Sequence, residues 1–371
     1  MKAIGIILAG GNNNRMRELS HRRAIAAMPI AGSFRCIDFA LSNMSNSHIQ
    51  KVAVLTQYNA RSLNEHLSSS KWWDFGRKQG GLYVFTPTVT ADNSWWYRGT
   101  ADAIYQNIEF LKRSHEPYVI IASGDCVYKL DYNKVLDYHI EKKADITVVC
   151  KDMPLDEDVT RFGVVSMDEE NRIVEFEEKP MVARHHTIST GIYVIRRRQL
   201  IELLEHCASE GRHDFVSDIL IRYKNLKRIY GYKIDTYWSN ISTVESYYRT
   251  NMDFLKPEVR HFFAGDPQVY SKATDLPPAK YNMGSDVRNC LISSGCIINS
   301  HVDNSILFKK VFVGNNCSIR NSIILNDVYI GDNCTIENCI VESRDTIRPN
   351  SIFRGDQGIK VVFEQNSRYE V

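Results

Sequence analysis

The sequence has no large excess of charge of either sign and no long hydrophobic run. It carries 46 basic and 44 acidic side chains, which give a formal net charge of +2 at pH 7. This balance gives no signal for binding a polyanion, so nucleic acid is not an expected partner. The apolar run at residues 3–8 is too short to span a membrane, and no small-residue cleavage site follows it. We therefore expect a strand there, no membrane partner and a cytoplasmic protein.

Metal-binding cysteine patterns are also missing. The nine cysteines occur without CxxC or Cys/His spacing. This distribution predicts small apolar side chains in a reducing compartment, and no structural zinc. The basic run Arg196-Arg197-Arg198 is interpreted as the solvated start of a helix, with an anion-binding patch as the alternative.

The length of 371 residues is enough for about two domains. In residues 1–250, apolar runs alternate with helical patterns, which predicts an α/β domain with a Rossmann-like, doubly wound and mostly parallel sheet. The predicted strands are 3–8, 51–56, 118–122, 145–149, 163–166, 191–195 and 227–232, and the predicted helices include 101–113 and 134–142. Ligands of such sheets bind beyond the carboxyl ends of the strands.

The first predicted strand leads into a glycine pair and a polar loop. Gly10 and Gly11 are followed by three asparagines and Arg15. A buried strand, a glycine turn and a helix allow backbone N–H groups to approach a phosphate closely. The pattern predicts a nucleotide or phosphate site, although Gly-Gly alone also fits a plain strand-to-helix turn.

Three further motifs stand beside predicted strand ends. Gly99 and Thr100 open a predicted helix, and Thr100 can serve as its N-cap. Asp125 directly follows a buried strand, where a carboxylate can hold Mg²⁺ or cap the next helix. Glu178 and Lys179 precede a proline, and Lys179 is either a cation for a phosphate or a surface lysine.

Together these motifs resemble the sugar-nucleotidyltransferase superfamily, and within it the bacterial glucose-1-phosphate adenylyltransferase family. The segments that carry the resemblance are FRCIDFALSNMSNS (34–47), VLTQYNARSLNEHL (54–67), RGTADAIYQN (98–107), GDCVYKLDY (124–132), STGIY (189–193) and LPPAKY (276–281). The resemblance implies transfer of AMP from ATP to glucose 1-phosphate, with release of pyrophosphate, in glycogen biosynthesis. It assigns nucleotide binding to Gly10, Gly11, Gly99 and Thr100, and sugar-phosphate binding to Lys179, Glu178 and Gly191.

The nucleotide loop departs from the family pattern at two positions. The family loop reads GGxGxR, and Asn13 stands at its third glycine while Arg15 is retained. The family segment RAKPAVP has a lysine where this chain has Ile25. Asn tolerates left-handed backbone, so the turn can persist, but its side chain occupies space near the pyrophosphate.

The expected metal site departs from the family as well. Family members pair the Asp of GDxxY, here Asp125, with the Asp of WRDVGT to hold Mg²⁺. This chain has Asn240 at that second position and Ser242 at the following glycine. Mg²⁺ prefers carboxylates, so we expect a degenerate site that needs Mg²⁺ only if a ligand is turned over.

Within the family, this pattern resembles the non-catalytic, regulatory subunit. The resemblance implies a catalytic adenylyltransferase subunit as partner in a hetero-tetramer, with a homo-oligomer of this chain as a further possibility. ATP, glucose 1-phosphate or an anionic effector are the expected ligands. A self-sufficient active enzyme and a scaffold that binds no ligand are the alternatives.

The remaining chain is predicted to be a linker, 251–285, and a hexapeptide-repeat domain, 286–371. Small or aliphatic residues recur at strides of 6, 5 and 6, which gives a coil of 17 residues and predicts a left-handed parallel β-helix. The predicted inward positions are Cys296, Val302, Leu307, Val313, Ile319, Ile324, Ile330, Ile336, Val341, Ile347 and Ile352. Cys317 and Cys334 are expected to fill the interior, and His301 to lie at a surface corner.

Overall fold

The structure, a computed structural model, describes residues 2–11, 14–21, 23–76, 80–88 and 96–363. In the first domain the elements are β1 (Ala3–Leu8), β2 (Pro29–Ile30), β3 (Phe34–Arg35), α1 (Cys36–Asn46), β4 (Lys51–Leu55), α2 (Arg61–Leu67), β5 (Gly81–Phe85), α3 (Thr100–Tyr105), α4 (Ile108–Lys112), β6 (Tyr118–Ser123), β7 (Cys126–Tyr128), α5 (Tyr132–Glu141), β8 (Ile146–Asp152), β9 (Gly163–Met167), β10 (Ile173–Glu178), β11 (Thr187–Arg196), α6 (Arg197–Ser209), β12 (Ile229–Lys233), β13 (Trp238–Asn240), α7 (Val244–Asp253) and α8 (Pro257–Ala264). Short 3-10 helices cover Asn14–Ser20, Ile25–Ala27 and Ser70–Trp73, and a π-helix covers Val216–Ile221.

Nine strands form the main sheet, whose path runs β10-β9-β11-β6-β1-β4-β5, with β8 between β11 and β12. All strands except β10 and β11 run in the same direction. The predicted mostly parallel α/β sheet is therefore confirmed. Strand β1 is central, and its side chains alternate between two buried layers, Ala3 and Ile7 in one, Ile4 and Ile6 in the other. Since both faces are covered, the strand reads as a continuous apolar run.

The predicted helix 101–113 is wrong in one respect, because two helices, α3 and α4, occupy it. The side-chain amide of Asn107 donates to the carbonyl of Ala103 at 2.9 Å. That carbonyl is the acceptor that the Asn107 N–H would use in a continuous α-helix. The N–H bonds to Ile104 O instead. An asparagine side chain thus competes with the backbone and interrupts the helix.

The burial of the cysteines and the position of the arginine run agree with the sequence-based predictions. All nine cysteines are free thiols and eight of them are buried. Helix α6 begins at Arg197, and its guanidinium donates to the carbonyls of Glu116 and Leu111. The helix-start interpretation of this run is confirmed. In the part of the chain that the structure covers, no helix is both long enough and apolar enough to cross a membrane.

The second domain consists of short strands in three parallel sheets of five strands each. Its strands are β14 (Lys280–Tyr281), β15 (Asp286–Arg288), β16 (Leu291–Ile292), β17 (Ile297–Ile298), β18 (His301–Asp303), β19 (Ile306–Leu307), β20 (Phe312–Val313), β21 (Ser318–Arg320), β22 (Ile323–Ile324), β23 (Tyr329–Ile330), β24 (Thr335–Glu337), β25 (Cys339–Val341), β26 (Thr346–Ile347), β27 (Ile352–Arg354) and β28 (Lys360–Val362). This is the predicted three-sided β-helix of hexapeptide type, consistent with the left-handed form.

The 17-residue coil is confirmed by the register, in which Val302, Ile319 and Ile336 stack on one another. The prediction of Ile352 as an inward residue is wrong, since 65% of it is exposed. Phe353 pairs with Ile336 and packs against the interior instead. The stride after Ile347 is therefore six residues, as the repeating strides of 6, 5 and 6 require, and the predicted Ile352 lies one residue short of the repeat.

Two further predictions for the repeat have different outcomes. Cys317 and Cys334 are buried in the interior, as expected. His301 does not lie at a corner, because it begins β18 and its Nδ1 lies 3.1 Å from Asp286 Oδ2. The corners instead carry left-handed asparagines such as Asn321, with φ of 46°.

The predicted linker contains helix α8, whose Phe263 stacks edge-on against Phe39 of α1 at 5.2 Å between ring centroids. The two domains share an apolar cluster that includes Phe39 and Phe263 from the first domain and Ile306 and Ile323 from the β-helix. A buried ion pair between Arg23 and Glu342 joins the domains beside this cluster. One sheet of the β-helix is thus covered by the first domain.

Candidate nucleotide and sugar-phosphate site

The nucleotide loop lies at the carboxyl end of β1, beside the Gly124-Asp125 turn. The N–H of Gly124 donates to Leu8 O at 2.9 Å. A Cβ atom built on Gly10 lies 3.5 Å from Gln57 Cβ, and one on Gly11 meets no atom within 4 Å. Arg15 is exposed on the 3-10 helix that follows. Asn13 lies outside the described residues, so its predicted role stays a prediction.

Ile25 provides no polar group at the lysine position of the family. It lies in the 3-10 helix Ile25–Ala27, is 6% exposed, and belongs to the apolar cluster shared by the domains. Its neighbour Ala26 packs against the glycine turn, with its Cβ 3.4 Å from a Cβ built on Gly124. This segment therefore approaches the turn that carries Asp125 through the methyl group of Ala26.

Asp125 and Asn240 lie on neighbouring segments of the structure, and their role at a metal ion stays a prediction. Strands β7 and β13 pair with Asn240 opposite Cys126, and the N–H of Ile241 donates to Asp125 O at 2.9 Å. The hydroxyl of Ser123 donates to Asp125 Oδ1 at 2.5 Å. The amide nitrogen of Asn240 donates to the Cys126 sulfur at 3.4 Å.

This donor set is weaker for a resident Mg²⁺ than a pair of carboxylates would be. Mg²⁺ is held in proteins by one or two carboxylates together with substrate phosphates. At this edge Asp125 supplies a carboxylate whose Oδ1 already accepts from Ser123, and Asn240 supplies a neutral oxygen. Within the described ranges, no group of three or more His, Cys, Asp or Glu side chains is arranged to hold a metal.

Ser242 bonds across the site to a residue that the motifs do not include. Its hydroxyl accepts from Arg161 Nη1 at 3.1 Å. Its N–H donates to Ser246 Oγ, within the capping box that Thr243 forms at the start of α7. The turn after β13 is thereby held in one conformation, with the Ser242 hydroxyl directed at Arg161.

The predicted sugar-phosphate residues lie at the end of β10 and within β11. Lys179 has φ of 47°, and its Nζ lies 3.1 Å from Glu178 Oε1. With 68% of its side chain exposed, this ion pair is weak and can exchange for a phosphate. Gly191 has φ of 75°, and a Cβ built on it lies 3.4 Å from Ser123 Cβ, which places Gly191 next to the Asp125 turn.

Gly99 and Thr100 are arranged differently from the prediction. Gly99 is the N-cap of α3, and a Cβ built there lies 2.4 Å from the carbonyl oxygen of His213. That oxygen accepts the N–H groups of Ala101 and Asp102, so it caps the helix. The N-cap prediction for Thr100 is therefore wrong, and its Oγ1 accepts from the N–H of Phe215 at 2.9 Å. Their role in nucleotide binding stays a prediction.

The motif-based assignment missed two site residues. Gln57 donates to and accepts from the backbone of Tyr97, at 3.3 and 2.6 Å, and so joins the loop beside Gly10 to the segment before Gly99. It lies within VLTQY, so the resemblance contained a signal for it. The sequence contains no signal for Arg161, because its contact with Ser242 joins residues that are 81 positions apart.

A cleft of about 660 Å³ separates the first domain from one edge of the β-helix. Basic side chains outnumber acidic ones along its walls. The basic residues are Arg23, Arg35, Arg61, Lys272, Lys309, Lys310 and Arg344, and the acidic ones are Glu65 and Asp327. Burial lowers the pKa of both Arg35 and Lys309. A partly desolvated group of like charges is an arrangement that attracts anions.

The comparisons with known proteins agree with both domains. Residues 4–257 match the family model described as "Nucleotidyl transferase", and residues 277–357 match "GlmU-like, C-terminal hexapeptide". Glucose-1-phosphate adenylyltransferase from Thermosipho melanesiensis is 41% identical over 321 residues, covering 85% of this chain and 77% of that protein. The enzyme of that name from Clostridium acetobutylicum is 40% identical, covering 85% and 84% respectively. The chain therefore belongs to the glucose-1-phosphate adenylyltransferase family of nucleotidyl transferases.

Proposed function

We propose that this chain is a regulatory, catalytically impaired subunit of glucose-1-phosphate adenylyltransferase that modulates a catalytic partner subunit in glycogen biosynthesis. The proposal rests on two positions that lack the charged side chain which would stabilise the displacement at phosphorus. Ile25 points into an apolar cluster, and Asn240 presents a neutral amide beside Asp125.

The size of the expected defect follows from the chemistry of the reaction. Phosphoryl transfer is catalysed mainly by positioning and by neutralising charge on the phosphates. A metal ion typically supplies several kcal/mol of transition-state stabilisation. Each 1.36 kcal/mol is tenfold in rate, so the combined loss of a lysine and a metal carboxylate amounts to several orders of magnitude. Residual turnover would still require Mg²⁺.

Groups for ligand binding remain on the same frame. Arg15, Asp125, Glu178 and Lys179 lie at the carboxyl ends of the sheet strands or in the loops that follow them. We expect ATP or glucose 1-phosphate to bind there with little or no turnover. The basic interdomain cleft is the place where we expect an anionic effector. A change of effector occupancy would then reach the partner through the assembly, for which a hetero-tetramer is expected.

The test is pyrophosphate release from ATP and glucose 1-phosphate with Mg²⁺, first with this chain alone and then mixed with a catalytic subunit from the same cell. The proposal expects no release from the chain alone, and an altered apparent affinity or rate in the mixture. Robust turnover by this chain alone would reject impaired catalysis and favour a self-sufficient adenylyltransferase. Unchanged kinetics in a mixture that has been shown to form a complex would reject the modulatory role.

A restoration experiment locates the defect. The triple variant Asn13→Gly, Ile25→Lys and Asn240→Asp should raise the intrinsic rate, because it returns the loop glycine, the cation and the carboxylate. Each single variant should gain much less, since the groups act on one transition state. A correctly folded triple variant without any gain would show that the defect lies elsewhere in the site.

A further inference from the structure

Arg161 lies between the two halves of the site. It stands two residues before β9, and its Nη1 donates to Ser242 Oγ in the turn that follows Asn240. Its guanidinium carbon lies 5.4 Å from the ring centroid of Phe162. The carbonyl of Phe162 accepts the N–H of Lys179 at 3.0 Å. These contacts hold a fixed positive charge between the Asn240 edge and the sugar-phosphate segment.

The guanidinium of Arg161 still has a donor to offer. Its Nε is buried and has no hydrogen-bond partner. A buried donor without a partner costs about 1–3 kcal/mol, and a ligand oxygen that bonds to it removes that cost on binding. Since arginine has five N–H donors in a planar fork, the bond from Nη1 to Ser242 leaves Nε as an unused donor of the same guanidinium.

The charge around Arg161 also favours an anion. The pKa of Asp158 is lowered by hydrogen bonds from Thr160 and further by the nearby charges of Arg161 and Arg15. The positive charges of both arginines therefore stabilise the ionised form of the Asp158 carboxylate. Asp158 is exposed and already accepts two hydrogen bonds from Thr160. Asp158 thus offsets one of the two positive charges that Arg15 and Arg161 bring to these loops.

We propose that Arg161 is a phosphate-binding residue, and that its fixed charge takes the place of the metal ion that the Asn240 edge does not hold. The ligand class is a sugar bearing a phosphomonoester, and its recognition is independent of Mg²⁺. Ser242 is the positioning residue, because its hydroxyl holds Nη1 and thereby orients the Nε edge. This inference rests on the proposed function, since it concerns the ligand of the same site.

Isothermal titration of glucose 1-phosphate into the full chain tests the proposal. The wild-type affinity should be the same with Mg²⁺ and with EDTA. Arg161→Gln should weaken binding by at least about tenfold, the loss expected for a charge-assisted hydrogen bond. Arg161→Lys should lie between the two, because lysine keeps the charge without the fork. The control is Arg172→Gln, an exposed arginine in the β9–β10 hairpin, which should bind as the wild type does.

Variants at the end of β13 and in the turn after it test whether a metal requirement can be introduced. Asn240→Asp combined with Ser242→Gly should make binding depend on Mg²⁺, since it adds a carboxylate and releases Arg161. Wild-type binding that requires Mg²⁺, an Arg161→Gln affinity equal to the wild type, or no binding by the wild type would each overturn the inference. If Arg161→Gln does not fold, Arg161→Lys and Ser242→Ala carry the test, and unchanged affinity in both would also overturn it. The partner-mixing assay judges the regulatory function separately.

Discussion

Glu342→Gln would remove one charge of the ion pair that joins the two domains. Arg23 Nη2 bonds to Glu342 Oε1, and Arg23 Nη1 lies 3.4 Å from Ser343 Oγ. The side chain of Glu342 is 2% exposed and that of Arg23 is 11% exposed. Removing one partner of a buried pair typically costs about 3–5 kcal/mol, because the other charge stays buried. Since Arg23 also lines the interdomain cleft, water can reach it in part, and we expect about 3 kcal/mol.

The assay is urea-induced unfolding followed by two signals. All five tryptophans precede residue 239, so their fluorescence follows the first domain, whereas far-ultraviolet circular dichroism follows both domains. If the two domains unfold together, the loss of stability in Glu342→Gln should lower the urea midpoint of both signals. If they unfold separately, the β-helix should unfold at a lower urea concentration than the first domain. The double variant Arg23→Gln with Glu342→Gln should be more stable than the sum of the single losses predicts, because no unpaired charge remains.

The matched control is Glu337→Gln in the same domain. Glu337 forms an exposed pair with Arg354, with 3.8 Å between Oε2 and Nε, so its loss should cost less than about 1 kcal/mol. If Glu342→Gln were as stable as this control, the pair would not hold the domains together. The shared apolar cluster would then carry the interdomain contact by itself.

Three further predictions concern stability and reactivity. Burial, and then the charge of Arg196, lower the pKa of His139 to about 4. As the pH falls, the unfolded chain binds this proton before the folded protein does, so about 3 kcal/mol of unfolding free energy should be lost between about pH 6.5 and 4. In a pH titration of the urea midpoint, His139→Gln should flatten that part of the curve. Gly99→Ala should cost at least about 2 kcal/mol, because its Cβ would lie 2.4 Å from a carbonyl oxygen, whereas Gly11→Ala meets no atom within 4 Å and should leave the melting temperature unchanged. In the native protein a thiol reagent should modify Cys290 and spare the buried cysteines until urea unfolds the chain; rapid labelling of all nine without denaturant would contradict the burial described above.

The sequence alone predicts the architecture, because both domains depend on regular spacing. The buried strands are visible in the sequence as apolar runs. The β-helix is visible as apolar residues at strides of 6, 5 and 6, because every coil must fill the same interior. One error falls where a side chain overrides the helical period, because the side-chain amide of Asn107 takes a helical carbonyl. The error at Ile352 has another cause: a stride of six from Ile347 leads to Phe353, which occupies the interior position in the structure.

The site follows the same division. The resemblance to the family leads us to expect Asp125 and Asn240 to lie together, and the pairing of β7 with β13 places Asn240 opposite Cys126. Three contacts have no signal in the sequence. They are the capping of α3 by the carbonyl of His213, the hydrogen bond from Arg161 to Ser242 and the ion pair of Arg23 with Glu342. Each joins residues that lie 81 or more positions apart, so only the packing of the tertiary structure decides them. Spacing along the chain determines which residues share a face, whereas the contacts between faces depend on the three-dimensional shape of every side chain around them.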